Sequence, residues 1–324
     1  MTSDALIRFD RVSKVYPGAA RPAVAELSMD IPDGALVSLV GPSGCGKTTT
    51  MKMVNRLVDP SSGTISLGGS DIGGLDQVAL RRRIGYVIQQ VGLLPHRTIA
   101  DNVATVPKLL GWSRADIRSR VGELLDLVGV PESEFGSRYP SQLSGGQAQR
   151  VGVARALAAN PDVMLMDEPF GAIDPITRIE LQDELLRIQR EMRKTILFVT
   201  HDIDEAVKMS DRIAVFDRSA TLAQFAEPDE VLRRPATDFV ERFVGSGAAM
   251  QRLRLRAVGD LALAGAPVSD DAPQVPRDAT LHAALDALVR SSADALVVTD
   301  AAGERIGAVS FDDIRRALAE ADAA

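Results

Sequence analysis

The segment Gly41-Pro-Ser-Gly-Cys-Gly-Lys-Thr48 follows an apolar run, Leu36-Val-Ser-Leu-Val40, and constrains the fold more than any other part of the chain. Glycines at these spacings let backbone N–H groups close around a row of phosphates. Lys47 can reach the β- and γ-phosphates of a nucleoside triphosphate, and the Thr48 hydroxyl can bind Mg²⁺. The next residues predict a helix from Lys47 to Leu57, with its positive dipole end at the phosphates. The segment therefore predicts a strand, a phosphate-binding loop and a helix in an α/β fold.

Two adjacent carboxylates, Asp167 and Glu168, end a second apolar run that begins at Val163. Such a run is typical of a buried parallel strand, and α/β proteins form ligand sites at the carboxyl edge of the sheet. We expect Asp167 to hold Mg²⁺, directly or through water. Glu168 is the candidate base that polarises the attacking water. A third apolar run, Thr195–Val199, precedes Thr200-His201-Asp202 and predicts a neighbouring strand.

The segment Leu143-Ser-Gly-Gly-Gln147, far downstream of the phosphate-binding loop, resembles the signature of ATP-binding-cassette (ABC) ATPases. In that family the signature completes the nucleotide site of a partner subunit, so the resemblance implies a homodimer that binds ATP. A helix that begins just after Gly145-Gly146 would direct its backbone donors at an anion bound by the other subunit.

The resemblance extends to further elements, which occur in the order that the family requires. His201 is similar to the switch histidine that contacts the γ-phosphate, and Gln89 to the glutamine that senses the γ-phosphate and Mg²⁺. Gln90 is a rival to Gln89, although the spacing favours Gln89. Tyr16 stands where the family places an aromatic ring on adenine, and Asp174 lies in the loop that couples the two sites of the dimer.

The predicted site therefore consists of three overlapping sets of residues. The predicted catalytic residues are Lys47, Gln89, Glu168 and His201, and the predicted Mg²⁺ ligands are Thr48, Gln89 and Asp167. The residues predicted to bind ATP are Tyr16, Gly41, Ser43, Gly44, Cys45, Gly46, Lys47, Thr48, Thr49, Ser144, Gly145, Gly146, Gln147 and Asp174. For Cys45 two interpretations stay open: a small tolerated side chain, or a thiol whose modification blocks ATP binding.

The rest of the chain predicts the arrangement around this site. Residues 5–40 alternate apolar and polar positions between turn signals, which predicts antiparallel strands. From about 98 to 160 the apolar period becomes helical, which predicts the helical subdomain that carries the signature. The predicted fold is an α/β P-loop ABC ATPase core, with a parallel sheet, an antiparallel β subdomain and a helical subdomain. We place this domain at 1–245, a linker at 246–252 and a second domain at 253–324.

The C-terminal segment predicts two strands and a helix: Ala295–Asp300, Ile306–Ser310 and a helix from Asp312. With Gly307, Ser310 and Asp313 at matching positions, this ending resembles a cystathionine-β-synthase (CBS) motif. In that family the Ser/Thr and Asp can hold a nucleotide ribose, but many copies bind nothing. A single copy fits here, so the resemblance implies a small α/β CBS-like regulatory domain whose partner copy comes from the other subunit.

Composition narrows the class of protein. The chain has 324 residues, which suggests two domains, and it is 45% hydrophobic and 25% charged, as in soluble globular proteins. We expect no transmembrane helix, because no long run is uniformly apolar, and no secretion signal, because the first residues carry acids. One cysteine cannot form an internal disulfide, which fits a reducing cytosol. The net charge of −7 argues against a nucleic-acid partner.

Over its whole length the chain resembles the ATP-binding subunits of importers for osmoprotectants, the quaternary amines glycine betaine, carnitine and choline. The match rests on Ile84–His96, Val106–Trp112, Asp167–Thr177 and the CBS-like tail. It implies an integral-membrane permease, an extracytoplasmic substrate-binding protein, and a peripheral position on the cytoplasmic face of the cell membrane.

Three alternatives stay open at this point. The first is an importer ATPase for another small solute, such as an amino acid or phosphate. The second is a non-transport cassette ATPase acting on DNA or ribosomes, which the single cassette and the absence of a basic domain disfavour. The third is a regulatory ATP-binding module with little hydrolysis, and the intact Glu168 argues against it.

Overall fold

The computed structural model describes residues 5–88, 92–171, 173–261, 263, 272–291 and 293–323. It divides into two compact units. The first unit comprises residues up to 202 and residues 209–226. The second comprises residues 203–208 together with residues 227–324.

The helices and strands have the following bounds in chain order. As far as Asp167 they are β1 (Ala5–Lys14), β2 (Val24–Pro32), β3 (Leu36–Val40), α1 (Lys47–Val54), β4 (Ser62–Leu67), β5 (Ser70–Asp71), α2 (Gln77–Arg82), β6 (Ile84–Val87), α3 (Ile99–Val103), α4 (Thr105–Leu109), α5 (Arg114–Leu127), α6 (Glu132–Phe135), α7 (Gly145–Leu157) and β7 (Val163–Asp167). Beyond it they are α8 (Pro175–Met192), β8 (Thr195–Val199), α9 (Ile203–Met209), β9 (Arg212–Phe216), β10 (Leu222–Ala226), α10 (Pro228–Arg233), α11 (Asp238–Val244), α12 (Ala248–Leu255), β11 (Gln274–Pro276), α13 (Leu281–Ser291), β12 (Ala295–Thr299), β13 (Arg305–Ser310) and α14 (Phe311–Ala323).

An antiparallel sheet forms one layer of the first unit, with strand order β2-β1-β4-β5. Its inward positions alternate along β1, where Ile7, Phe9 and Val12 are buried and the residues between them are mostly exposed. This alternation is the pattern expected of a sheet with one covered face. The predicted antiparallel β subdomain is confirmed.

The second sheet of this unit has the order β10-β9-β3-β8-β7-β6. Neighbouring strands from β9 to β6 run parallel, and β10 pairs antiparallel to β9. All five residues of β3 and of β8 are buried, because parallel strands in such folds are covered on both faces. The ends of β3, β7 and β8 therefore meet at one edge, as the apolar runs predicted.

Helices α3 to α7 lie between β6 and β7 in the chain. Of these, α3, α5, α6 and α7 contribute to one apolar core, with residues that include Val103, Leu124, Phe135 and Val151. They are the predicted helical subdomain. Helix α1 ends at Val54 rather than at the predicted Leu57. The reason is local: Arg56 has φ 45°, a left-handed backbone conformation that no α-helix continues through.

In the second unit, β11, β12 and β13 form a three-stranded sheet in that order, with β12 and β13 antiparallel. Helices α13 and α14 share an apolar core with this sheet, to which Leu281, Leu288, Val298 and Ile314 contribute. The Thr280 side chain accepts a hydrogen bond from the N–H of Ala283 at the start of α13. The predicted β-turn-β-α ending is confirmed.

The region of the predicted linker, 246–252, includes the first residues of α12, which begins at Ala248. Gln251 and Arg252 are buried there, and residues 227–244 group with the second unit. The domain bounds given above stay predictions. No helix within the described part of the chain is long and apolar enough to cross a membrane.

Candidate functional site

The phosphate-binding loop joins the end of β3 to the start of α1, and two of its glycines have no room for a side chain. A Cβ on Gly41, with φ 144°, would lie 2.4 Å from the carbonyl oxygen of Phe216. A Cβ on Gly46, with φ 97°, would lie 2.1 Å from the carbonyl oxygen of Ala23. Both positions therefore require glycine, because a Cβ would have no room there and because the backbone angle φ is positive. At the tip of the loop, Ser43 and Gly44 are exposed.

Lys47 is buried, and its ammonium group is held by the loop itself. Its Nζ donates to the carbonyl oxygen of Gly41 at 2.7 Å and to that of Pro42 at 3.1 Å. A buried ammonium needs such partners, because burial without them is costly. The arrangement keeps a positive charge inside the loop, where it can be presented to a polyphosphate.

Cys45 belongs to the apolar core beneath the loop and is 2% exposed. Burial raises the pKa of its thiol, and the nearby Lys47 opposes that shift only in part. A buried thiol of raised pKa carries little thiolate at neutral pH and reacts poorly. Of the two interpretations left open by the sequence, this geometry favours the small packed side chain.

Thr48 and Asp167 bring two oxygen atoms together at the edge of the parallel sheet. The Thr48 hydroxyl donates to Oδ1 of Asp167 at 3.0 Å. Burial raises the pKa of the Asp167 carboxyl and the neighbouring Glu168 raises it further, while the Thr48 hydrogen bond lowers it. Hydroxyl and carboxylate oxygens are the ligands that Mg²⁺ prefers, and a cation beside them would favour the ionised carboxylate. This pair therefore fits a Mg²⁺ site.

Glu168 follows β7 directly and has a left-handed backbone, with φ 44°. Its N–H donates to the carbonyl oxygen of Val199, the last residue of β8, at 2.9 Å. Its Oε2 lies 3.5 Å from Nδ1 of His201. The Glu168 side chain is 26% exposed and that of His201 is 62% exposed, so both can meet a ligand from solvent. The structure thus brings the predicted base and the predicted switch histidine together.

The signature residues form the capped start of α7. The Ser144 hydroxyl accepts from the N–H of Gln147 at 3.2 Å, and the Gln147 Oε1 accepts from the N–H of Ser144 at 3.0 Å. This reciprocal pair is a capping box, which fixes the first turn of the helix. Ser144 and Gly145 are exposed, so the helix start faces solvent. Gly146 is buried, and a Cβ there would lie 2.6 Å from Cγ2 of Thr177.

Asp174 caps α8 in a similar way. Its Oδ1 accepts from the N–H groups of Ile176 at 3.2 Å and Thr177 at 3.1 Å. These bonds hold the pKa of the Asp174 carboxyl below its ordinary value, with the Thr177 N–H the largest cause. Because Thr177 also contacts Gly146, the loop before α8 and the signature are adjacent within one subunit.

Tyr16, Gln89 and Thr49 complete the set of predicted site residues. Tyr16 follows β1 and is 38% exposed, with the Lys14 ammonium 5.4 Å from the centre of its ring. Its ring can therefore be reached by a flat ligand. Gln89 and its rival Gln90 lie outside the described residues. Thr49 is half-buried in the first turn of α1.

Sequence reasoning missed the groups that hold the predicted side chains in place. These are mainly backbone carbonyls, of Gly41 and Pro42 for Lys47 and of Val199 for Glu168. Every residue has such a carbonyl, so no residue pattern could have indicated them. The Thr177 contact to Gly146 depends on how α7 and α8 pack, which the sequence pattern of neither helix specifies.

Comparison with known proteins agrees with this geometry. A family model described as ABC transporter matches residues 24–171, and a CBS domain model matches residues 258–320. The glycine betaine/carnitine/choline transport ATP-binding protein OpuCA of Bacillus subtilis is 49% identical over 296 residues, which cover 91% of this chain and 76% of that protein. This chain belongs to the ATP-binding proteins of ABC transporters.

A second relative is the osmoprotectant import ATP-binding protein OsmV of Salmonella typhimurium. It is 45% identical over 317 residues, covering 96% of this ABC ATPase and 81% of the relative. Among solved structures, the dimeric ATP-binding cassette MJ0796 bound to ADP and Pi superposes with a TM-score of 0.61 at 32% identity. That match covers 68% of this chain and 98% of the cassette. The predicted ABC ATPase core and CBS domain are confirmed, and the chain is an ABC transporter ATPase that binds ATP.

Proposed function

We propose that this chain is the ATP-hydrolysing subunit of an importer for quaternary-amine osmoprotectants such as glycine betaine, carnitine and choline. The observation that carries this proposal is the identity with OpuCA, which extends over 91% of the chain rather than over the ATPase core alone. The identity with OsmV over 96% of the chain supports the same class of cargo.

Hydrolysis is assigned to the residues at the edge of the parallel sheet. Lys47 and the loop amides bind the phosphates, and Tyr16 stacks on adenine. Thr48 and Asp167, with Gln89, would hold Mg²⁺, which when bound would neutralise the charge that develops on the phosphates. Support for this assignment is the 3.0 Å bond between Thr48 and Asp167.

Glu168 accepts the proton of the attacking water, and His201 contacts the γ-phosphate. The fixed backbone of Glu168 supports this role, since a general base must be held within reach of its water. The 3.5 Å separation of the two side chains supports both roles, because groups this close together can act on one phosphate.

Two copies of the chain close head to tail, with each ATP between the loop of one subunit and Ser144-Gly-Gly146 of the other. The exposed, capped start of α7 supports this arrangement, because free amides and the helix dipole at such an end favour an anion. The dimeric MJ0796 structure is a similar cassette. Hydrolysis removes the γ-phosphate contacts, reopens the pair and rocks the permease.

The permease contacts the helical subdomain from the membrane, which places the chain on the cytoplasmic face, with a substrate-binding protein on the other side. A groove between α3, α4 and α5 supports this partner. Its lining includes Asp101, Lys108, Trp112 and Arg118, a mixture of charged and aromatic side chains suited to a protein loop. The CBS domain regulates transport, and nucleic acid is not a partner.

The test is reconstitution of the chain with its permease and binding protein in proteoliposomes. Radiolabelled glycine betaine, carnitine and choline are compared with an amino acid and with phosphate, each with and without internal ATP. We expect ATP-dependent uptake of at least one quaternary amine, and none with the Glu168→Gln variant. Uptake of the amino acid or phosphate without any quaternary amine would refute the proposed cargo.

A further inference from the structure

Helix α12 connects three other helices within the C-terminal unit. Leu253 lies in the apolar core that α13 and α14 share with their sheet. The two residues before it, Gln251 and Arg252, are polar but only 8% and 6% exposed. Buried polar groups need partners, and Gln251 Nε2 and the Arg252 guanidinium have theirs on different helices.

Gln251 bonds to the helix that follows the switch histidine. Its Nε2 donates to Oδ1 of Asp204, 2.5 Å away, in the first turn of α9. Asp204 is three residues after His201 in the chain. On either side of His201, the N–H of Asp202 donates to the Thr200 hydroxyl at 3.0 Å, which makes a short turn of residues 200–202. Gln251 therefore holds the first turn of a helix that begins two residues after His201 in the chain.

Arg252 and Arg256 connect the same helix to the rest of the unit. Arg252 Nε donates to Oδ1 of Asp229 in α10 at 3.2 Å, and its Nη2 lies 3.5 Å from the carbonyl oxygen of Leu318 in α14. Arg256 Nη1 donates to the carbonyl oxygen of Ala317 at 2.7 Å. Helix α12 is thus bonded at one point to α9 and at two points to the last helix of the CBS fold.

We propose that Gln251 is a positioning residue for His201, acting through Asp204, and that α12 is the element by which the CBS domain sets the rate of ATP hydrolysis. The proposal rests on the assigned role of His201 in hydrolysis. A shift of α14 moves the arginines of α12, and Gln251 transmits that shift to the first turn of α9. The γ-phosphate contact then changes without any change in the residues that bind ATP.

The experiment compares three variants of the full-length chain. Gln251→Met keeps the length of the side chain but removes the donor to Asp204. Gln251→Lys restores a donor to Asp204. The substitution also removes Oε1 of Gln251, but this atom has no hydrogen-bond partner among the described residues, so no bond is lost. Arg254→Ala is the matched control, since Arg254 lies on the exposed face of α12. For each we measure kcat, the Kd for ATP and the unfolding temperature.

We expect Gln251→Met to lower kcat by about tenfold with an unchanged Kd for ATP, within the roughly 10²-fold that a 1 Å misplacement of a catalytic group can cost. Gln251→Lys should recover most of kcat, and Arg254→Ala should match the wild type. The positioning role is overturned if Gln251→Met keeps the wild-type kcat, or if Gln251→Met and Gln251→Lys lose activity equally. Absence of ATP hydrolysis in the wild-type chain would instead refute the proposed function.

Discussion

Nδ1 of His201 lies 3.5 Å from Oε2 of Glu168, across the ends of the neighbouring strands β8 and β7. The N–H of Glu168 donates to the carbonyl oxygen of Val199, the last residue of β8. The backbone of Glu168 is therefore bonded to the strand that precedes His201. The left-handed φ of Glu168 is a conformation of higher energy that the surrounding bonds must hold. Such fixed geometry is what a base and a phosphate contact need in order to act on one substrate.

Substitution of Lys47 tests the first step, ATP binding. Lys47→Ala removes a positive charge that the loop holds beside its own carbonyls. We expect ATP affinity to fall by about 10- to 100-fold, because a hydrogen bond to a charged group contributes roughly 1.5–3 kcal/mol. Isothermal titration calorimetry measures this directly. Unchanged affinity in a folded variant would exclude Lys47 from phosphate binding.

Asp167→Asn should increase stability while it abolishes hydrolysis. Burial raises the pKa of this carboxyl above the ordinary 3.8, so the folded state binds its proton more tightly than the unfolded state does. The contribution of Asp167 to the free energy of unfolding therefore decreases as pH rises from 3.8 through the raised pKa. At neutral pH the carboxylate is charged and its full destabilising effect is present. The amide keeps an acceptor for Thr48 but carries no charge.

The measurement is the unfolding temperature of both proteins without nucleotide, from neutral pH downward. We expect the variant to unfold at the higher temperature near pH 7, and the difference to shrink as pH falls toward the ordinary carboxyl range. Mg²⁺-dependent ATP hydrolysis should be lost. A variant less stable than the wild type at pH 7 would contradict the account of Asp167.

Cys45 provides a probe of the loop, because it is the single cysteine of the chain. Burial raises its pKa, so less thiolate is present at any given pH than for an exposed thiol. We expect the folded chain to react with a disulfide reagent far more slowly than the chain in denaturant, with one thiol titrated in each case. Equal rates would show that the thiol is accessible, and Cys45→Ala would then be needed to test its effect on ATP binding.

The strands at the site were predictable because each is a short apolar run followed directly by polar residues. Thr195–Val199 was predicted with the bounds that the structure has, and the run from Val163 ends at Asp167 as expected. The start of α7 was predictable from Gly145-Gly146 and the residues after them. These features depend on residues that are close together in the sequence, so the sequence pattern alone predicts them.

Features that depend on packing between distant segments were not predictable. The Gln251–Asp204 bond joins residues 47 positions apart, and Gln251 lies within the segment 246–252 that was predicted to be a linker. Arg252 is buried because Asp229, on another helix, neutralises it. The left-handed backbone of Glu168 likewise follows from its bond to β8, since nothing in the residue type favours it.

The Ser310–Asp313 pair is predicted to stabilise the C-terminal unit. The Ser310 hydroxyl and N–H both donate to Oδ2 of Asp313, at 2.6 and 2.9 Å, and the Asp313 N–H donates back to the hydroxyl at 3.3 Å. Ser310→Ala removes the cap of α14 and should lower the free energy of unfolding by about 1 kcal/mol. Urea denaturation measures this. Asp313→Asn, which keeps an acceptor, should cost less, and a larger loss for Asp313→Asn would contradict the capping role.

Glu168 is proposed to be the general base of an ATPase that works as a closed pair. Glu168→Gln keeps the shape of the side chain but removes the group that accepts a proton. The decisive measurement is kcat for ATP hydrolysis by this variant, with its Kd for ATP and its elution volume with ATP in size-exclusion chromatography. We expect kcat to fall by roughly 10²–10⁴-fold with ATP binding retained and a dimer trapped. Turnover near the wild-type rate would show that Glu168 is not the base.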